Sequence, residues 1–123
     1  MVQGQFLIGV MIGSALLLTS CSKPVPPAPT AQEALALRPA DPRIASLYES
    51  ACKACHAVAG TGAPLVHDHA AWDLRWKQGL PVLVDHVLQG YRGMPAGGQC
   101  LTCTPQDHQA LIRFLADQPE PKP

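Results

Sequence analysis

Aromatic residues are scarce: two Trp, two Tyr and two Phe make up 5% of the 123-residue chain. A core built from side chains alone would be thin, and a chain this short has room for one domain. Net charge is likewise missing, nine acidic side chains standing against nine basic ones. That balance excludes a nucleic-acid binder, which needs a basic footprint on phosphates. No segment alternates polar and apolar residues over a strand's length and no internal repeat is visible, so the chain reads as all-α. A full membrane span is absent as well. The apolar run at residues 6–18 has the length of a signal-peptide core, and no Lys or Arg precedes it in residues 1–5.

Leu18-Thr19-Ser20-Cys21 closes that run. It resembles the bacterial lipobox, in which the cysteine is diacylated and becomes the mature N-terminus. Residues 1–20 are therefore expected to form a lipoprotein-type signal peptide, with Cys21 as the lipidation site. The chain would then be anchored at the periplasmic face of a bacterial membrane, and Ser22 in place of an aspartate favours the outer one. An uncleaved anchor helix is the rival, and it also places the rest of the chain outside the cytoplasmic membrane. Pro24, Pro26, Pro27, Pro29, Pro39 and Pro42 then interrupt a polar, Ala-rich stretch. Residues 21–40 read as a Pro-rich flexible tether, reaching roughly 60 Å at about 3.1 Å per residue in polyproline II.

A folded domain over residues 41–118 is expected to open at Asp41-Pro42, an N-cap followed by proline at the first helical position. Ile44, Leu47, Tyr48 and Ala51 share one face of a helix that delivers Cys52. Beyond a glycine-broken loop, helices are predicted from about Ala70 to Gln78 and from Pro81 to Gln89, closed by Gly79 and Gly90. Leu80, Leu83, Val84, Val87 and Leu88 give the second an apolar stripe. The last helix opens on a capping box of Thr104 and Asp107, with Leu111, Ile112, Leu115 and His108 on its inner face. Residues 119–123 read as a disordered tail.

What gives this thin core a purpose is Cys52-Lys53-Ala54-Cys55-His56, the spacing that allows covalent attachment of a c-type haem. Two thiols three residues apart can add to the vinyl groups along one haem edge while the adjoining imidazole reaches the iron. One haem c is the expected cofactor, and once buried it would fill the core. The candidate for the other face of the iron is Met94, 38 residues beyond His56 in Tyr91-Arg92-Gly93-Met94-Pro95. Gly93 would permit close approach of backbone to porphyrin, and Pro95 restricts Met94 to extended geometry. A thioether favours Fe(II) and raises the reduction potential relative to a second imidazole. With both axial positions filled, the expected chemistry is outer-sphere, one-electron transfer. His67, His69 and His86 read as exposed, whereas His108 faces the core and is the bis-histidine alternative. A carbonyl between Gly62 and Leu65, Pro64 foremost, is expected to accept from the second ring nitrogen of His56 and fix its tautomer.

Cys100 and Cys103 form a second C-x-x-C. Together with Cys52 and Cys55 they have the make-up of a four-cysteine structural zinc site, a rival from a different class. An exported, oxidising setting favours disulfides, and zinc would leave His56 and Met94 without roles. Under the haem reading every cysteine has a use: Cys21 takes lipid, Cys52 and Cys55 take haem, and Cys100 pairs with Cys103. A thiol-disulfide oxidoreductase is a third reading. It suffers because Cys52 follows a helix, whose negative end raises a thiol pKa.

Three segments together resemble a class I cytochrome c, and more narrowly the cytochrome c5 family. They are Cys52 to His56, then Gly62-Ala63-Pro64 leading to Ala71-Trp72, then Gly93-Met94-Pro95-Ala96-Gly97-Gly98-Gln99-Cys100-Leu101-Thr102-Cys103. The resemblance spans about residues 41–117. It implies a small all-α fold of about four helices around one covalently bound haem, with His56 and Met94 as axial ligands. It also suggests that Trp72 and Arg75 pack against the haem or contact its propionates. The implied function is a monomeric, monohaem electron carrier rather than an enzyme, serving redox protein donors and acceptors. The exposed haem edge is expected to be ringed by small and apolar residues, among them Ala54, Ala57 and Ala63, and the small net charge would make docking brief and weakly salt-dependent. The alternatives are a redox subunit feeding one enzyme, and a sensor or small peroxidase in which Met94 dissociates.

Overall fold

Side-chain caps open four of the helices in the computed structural model, which describes residue 1 and residues 23–119. The signal-peptide and Cys21 expectations lie outside the described residues, as does the tail from residue 120. Thr30 and Glu33 exchange hydrogen bonds across the first turn of α1 (Ala31–Ala36), a complete capping box. Asp41 accepts from the Ile44 amide at 2.9 Å and Pro42 follows it, opening α2 (Pro42–Leu47). The helical path then widens into one π-turn, Tyr48–Cys52, and continues as α3 (Lys53–His56). Such a turn interrupts the 3.6-residue period and is frequent at functional sites. Asp68 caps α4 (His69–Trp76), and two glycines with φ of 87° and 81°, Gly79 and Gly90, bracket α5 (Leu80–Gln89). Thr104 and Asp107 form the second capping box, at the head of α6 (Pro105–Leu115).

Helix α6 holds the domain together because its inner face serves two clusters. Leu111 and Leu115 pack with Tyr48, Val66 and Trp72, while Ile112 meets Leu83 and Val84 of α5. Phe114 stands edge-on to Tyr48 with ring centroids 4.9 Å apart. The same two helical regions are tied by charge: Arg43 of α2 pairs with Asp107 of α6, Nη2 donating to Oδ2 at 3.0 Å. Among the described residues there is no strand, only an antiparallel bridge between Tyr91 and Met94. No helix among them is long and apolar enough to cross a membrane.

Two expectations need correction. The stretch read as tether contains α1, whose Ala34 is fully buried and sits with Leu37 against the Tyr48 cluster. The folded unit therefore starts at Thr30 and not at Asp41, because a capped helix with a small apolar residue on its inner face can dock where a free linker could not. The small all-α fold is as expected, with six α-helices among the described residues once α1 is counted and the π-turn divides the long N-terminal helical run. Leu88 is 42% exposed and does not join the stripe of α5.

Candidate functional site

His56 closes α3, where the chain must turn back on itself. Thr61 fastens that turn, its hydroxyl donating to the carbonyls of Cys55 at 2.8 Å and Val58 at 3.2 Å. The Val66 amide returns to the His56 carbonyl at 2.7 Å, so residues 57–65 form a closed loop hung from the motif. That loop aims the Pro64 carbonyl at the imidazole, and Nδ1–H of His56 donates to it at 2.8 Å. With Nδ1 engaged, Nε2 is the nitrogen left to bind a metal. Trp72 secures the same loop, its indole N–H donating to the Leu65 carbonyl at 2.7 Å. His56 is only 6% exposed. Burial pushes its pKa down, against the opposing pull of the Pro64 bond, and the Arg75 charge adds to the fall. A neutral imidazole with a free lone pair is the form a metal requires.

Met94 is placed by a different device. Tyr91 and Met94 exchange backbone hydrogen bonds at 3.1 and 3.0 Å, folding residues 91–94 into a tight turn. The chain then enters a 3-10 turn, Ala96–Gln99, where Gly97 and Gly98 both take positive φ. Met94 Cε lies 2.8 Å from where a β-carbon on Gly98 would stand. Gly90 is equally constrained, since its β-carbon would meet the Ala96 nitrogen at 2.9 Å. Gly93, expected to be the close-approach glycine, has nothing within 4 Å in the polypeptide. The signal in the sequence was the pair Gly97-Gly98 directly after Met94-Pro95, where two glycines in a row permit a tight fit around the thioether. Cys100 and Cys103 are joined in a disulfide, Cα atoms 5.4 Å apart, just beyond this turn.

A cavity of about 510 Å³ brings these parts together, its wall including Cys52, Cys55, His56, Trp72, Met94 and Leu111. Its volume falls in the range of cofactor sites, which are mostly apolar with a few placed polar groups. The donor set also fits a haem: one neutral imidazole, one soft thioether and two thiols from a C-x-x-C-H spacing. Zinc does not fit. Two of the four required thiols are bonded to each other, and no group of three or more His, Cys, Asp or Glu among the described residues could hold a metal ion. Dithiol redox chemistry is disfavoured too, because the Cys52 thiol is pushed up to about 11. The cause is burial.

The other residues singled out in the sequence divide. Trp72, Arg75, His86, His108 and Ala63 all line the cavity, whereas Ala54 is exposed away from it and Ala57 is buried in the main core. Leu74, 65% exposed, takes a place on the rim that the alanines were expected to fill. Neither His67 nor His69 is simply exposed. His67 is half-buried, edge-on to Phe114 at 5.2 Å, and its Nε2 is enclosed without a partner among the described residues. His69 bridges Asp73 at 3.1 Å and Asp117 at 3.2 Å, contacts that raise its pKa. His86 is half-buried and stacks on Tyr91, centroids 3.9 Å apart.

Residues 39–115 match the family described as cytochrome C oxidase, cbb3-type, subunit III. The chain is 35% identical over 75 residues to cytochrome c-555 of Chlorobaculum tepidum, which covers 58% of this chain and 69% of that relative. It is 40% identical over 63 residues to cytochrome c5 of Azotobacter vinelandii, covering 50% of this chain and 76% of the relative. Among solved structures it is similar to a chain in the crystal structure of an electron transfer complex of nitrite reductase with cytochrome c. That likeness has a TM-score of 0.56 and 34% identity, and covers 63% of this chain and 94% of the other.

Proposed function

This chain belongs to the class I c-type cytochromes, c5-like in kind, and we propose that it is a lipid-tethered carrier of single electrons whose one haem is anchored by Cys52 and Cys55 and ligated by His56 and Met94. Electron transfer is the work of the family. One observation carries the finer reading: His56, its Nδ1 already committed to Pro64, shares a single cavity with Met94 and both thiols. When bound, haem supplies one-electron Fe(III)/Fe(II) exchange. The polypeptide does the rest. His56 offers a neutral nitrogen made more basic by the Pro64 carbonyl, Met94 offers a soft sulfur that favours Fe(II), and the apolar wall keeps water away. The Cys100–Cys103 pair pins the chain just after Met94.

The partners are redox proteins, a reading supported by the cytochrome c that the structural neighbour pairs with nitrite reductase. Zero formal net charge supports brief, weakly salt-dependent docking. The lipobox-like Leu18 to Cys21 supports attachment through Cys21 at the periplasmic face, the outer membrane favoured by Ser22.

Protein made in a host competent in haem attachment tests this directly. Covalently bound haem and a sulfur-to-iron charge-transfer band in the oxidised form are expected, with the band lost in Met94→Ala. Colourless protein carrying zinc would end the reading, and rapid carbon monoxide binding by the reduced wild type would show an open iron site instead. Palmitate labelling should vanish in Cys21→Ser; labelling that persists rejects the anchor.

A further inference from the structure

His108 has no part in the ligand set above, yet it is one of the most deeply buried polar side chains, 4% exposed on α6. It lines the same cavity as His56 and Met94. Only its backbone is engaged, the amide reaching the Thr104 carbonyl at 3.1 Å, and among the described residues no hydrogen bond reaches its ring. Every other histidine on that wall is spoken for: His56 is held by Pro64 and His86 is stacked on Tyr91. With no protein partner among the described residues, the ring is left to be met by whatever the cavity holds.

The charges around it suggest what that is. On its own helix the nearest acid is Asp107, whose carboxylate is committed to Arg43 of α2 and to Thr104. The remaining titratable or charged groups on the cavity wall are Cys52, Cys55, His56, Arg75, His86, Tyr91 and Arg92, with no carboxylate among them. In the haem-bound protein the two cysteines and His56 no longer titrate, and both arginines stay cationic. The polypeptide therefore supplies no carboxylate on the cavity wall to balance a protonated His108, and a bound haem would bring only its own propionates. Burial accordingly holds its pKa below the ordinary value, with the Asp107 charge opposing. An electron delivered to the cavity changes that balance by one full negative charge in a poorly screened space.

We propose that His108 takes up a proton when the haem iron is reduced, so that this carrier moves a proton together with its electron. The electron comes from the redox donor and the proton from solvent; neutral imidazole becomes imidazolium as Fe(III) becomes Fe(II), and oxidation reverses both. The proposal rests on the haem reading, so the sulfur-to-iron band is recorded on the same samples to separate a failure of ligation from a failure of proton coupling.

The test is the reduction potential of the holoprotein from about pH 5 to 9, the range in which histidine titrates. In wild type it should fall with rising pH, by up to about 59 mV for each tenfold drop in proton activity, and level off at both ends. His108→Leu, similar in bulk, and His108→Gln should both flatten the curve, while His86→Gln should keep it. A slope that survives in His108→Leu, or a flat wild-type curve, overturns the proposal. Proton NMR of the wild type needs no variant: the His108 ring should titrate at higher pH in the reduced than in the oxidised protein, and equal values overturn it.

Discussion

The terminal methyl of Met94 and the missing side chain of Gly98 share one space: Cε lies 2.8 Å from the point where a β-carbon would stand. Gly98 also has φ of +59°, a backbone that disfavours any side chain. In Gly98→Ala the thioether must give way. The charge-transfer band of the oxidised holoprotein should weaken or disappear, and stability should drop by about 1–2 kcal/mol from the left-handed backbone. An unchanged band would mean that the sulfur does not depend on this fit.

Trp72 acts on His56 through the loop between them, because its indole N–H holds the Leu65 carbonyl one residue from Pro64. Trp72→Phe removes that bond and should cost about 1 kcal/mol in urea denaturation. A looser Pro64 contact makes the imidazole less basic, so the potential should move upward. Stability lost with the potential unmoved would confine Trp72 to packing.

Acid unfolding should have two origins. The Arg43 guanidinium, with help from Thr104, holds the Asp107 carboxyl well below the usual carboxylate range. Its contribution is complete above the ordinary value of 3.8 and is lost as pH falls below it. His56 and His108 are both shifted down by burial, so in haem-free protein stability should already decline as pH drops through 6.5, where the unfolded chain takes up protons first. Urea midpoints measured against pH should show both limbs. Asp107→Asn should flatten only the lower one, and His108→Leu should diminish the upper one.

Ala34 lies in the core although it precedes the haem motif by a long Pro-containing segment. Ala34→Glu places an unpaired charge there and should destabilise the domain by about 3 kcal/mol. A chain beginning at Asp41 should likewise have a lower urea midpoint than one beginning at Lys23. Equal midpoints would return the domain boundary to Asp41.

What the sequence revealed were features written in a few adjacent residues. Asp41-Pro42, Thr104 with Asp107, Gly79 and Gly90 all mark helix ends through contacts no more than four residues away. The bond from His56 to Pro64 was legible for the same reason, eight residues apart around one loop. Thr30 and Glu33 were equally local, but the surrounding prolines outweighed them, and only burial of Ala34 shows that the helix docks. Contacts across the fold were not readable. His69 meets Asp117 at a separation of 48 residues, and the Gly98 cradle depends on where Met94 is brought by its own turn. Ala57 failed differently: one residue past α3, the chain has already turned inward.

Docking of α1 changes how far the haem domain can travel. With Cys21 held in a bilayer, only residues 22–29 remain between lipid and the first capped residue, Thr30. Their reach is roughly 25 Å instead of roughly 60 Å, even fully extended as polyproline II. The volume swept scales as the cube of that length, so the effective concentration of the domain facing any partner on the same membrane rises on the order of tenfold. On the proposed anchor, a soluble partner would gain nothing from the shortening, and a membrane-bound one would meet its electron carrier far more often.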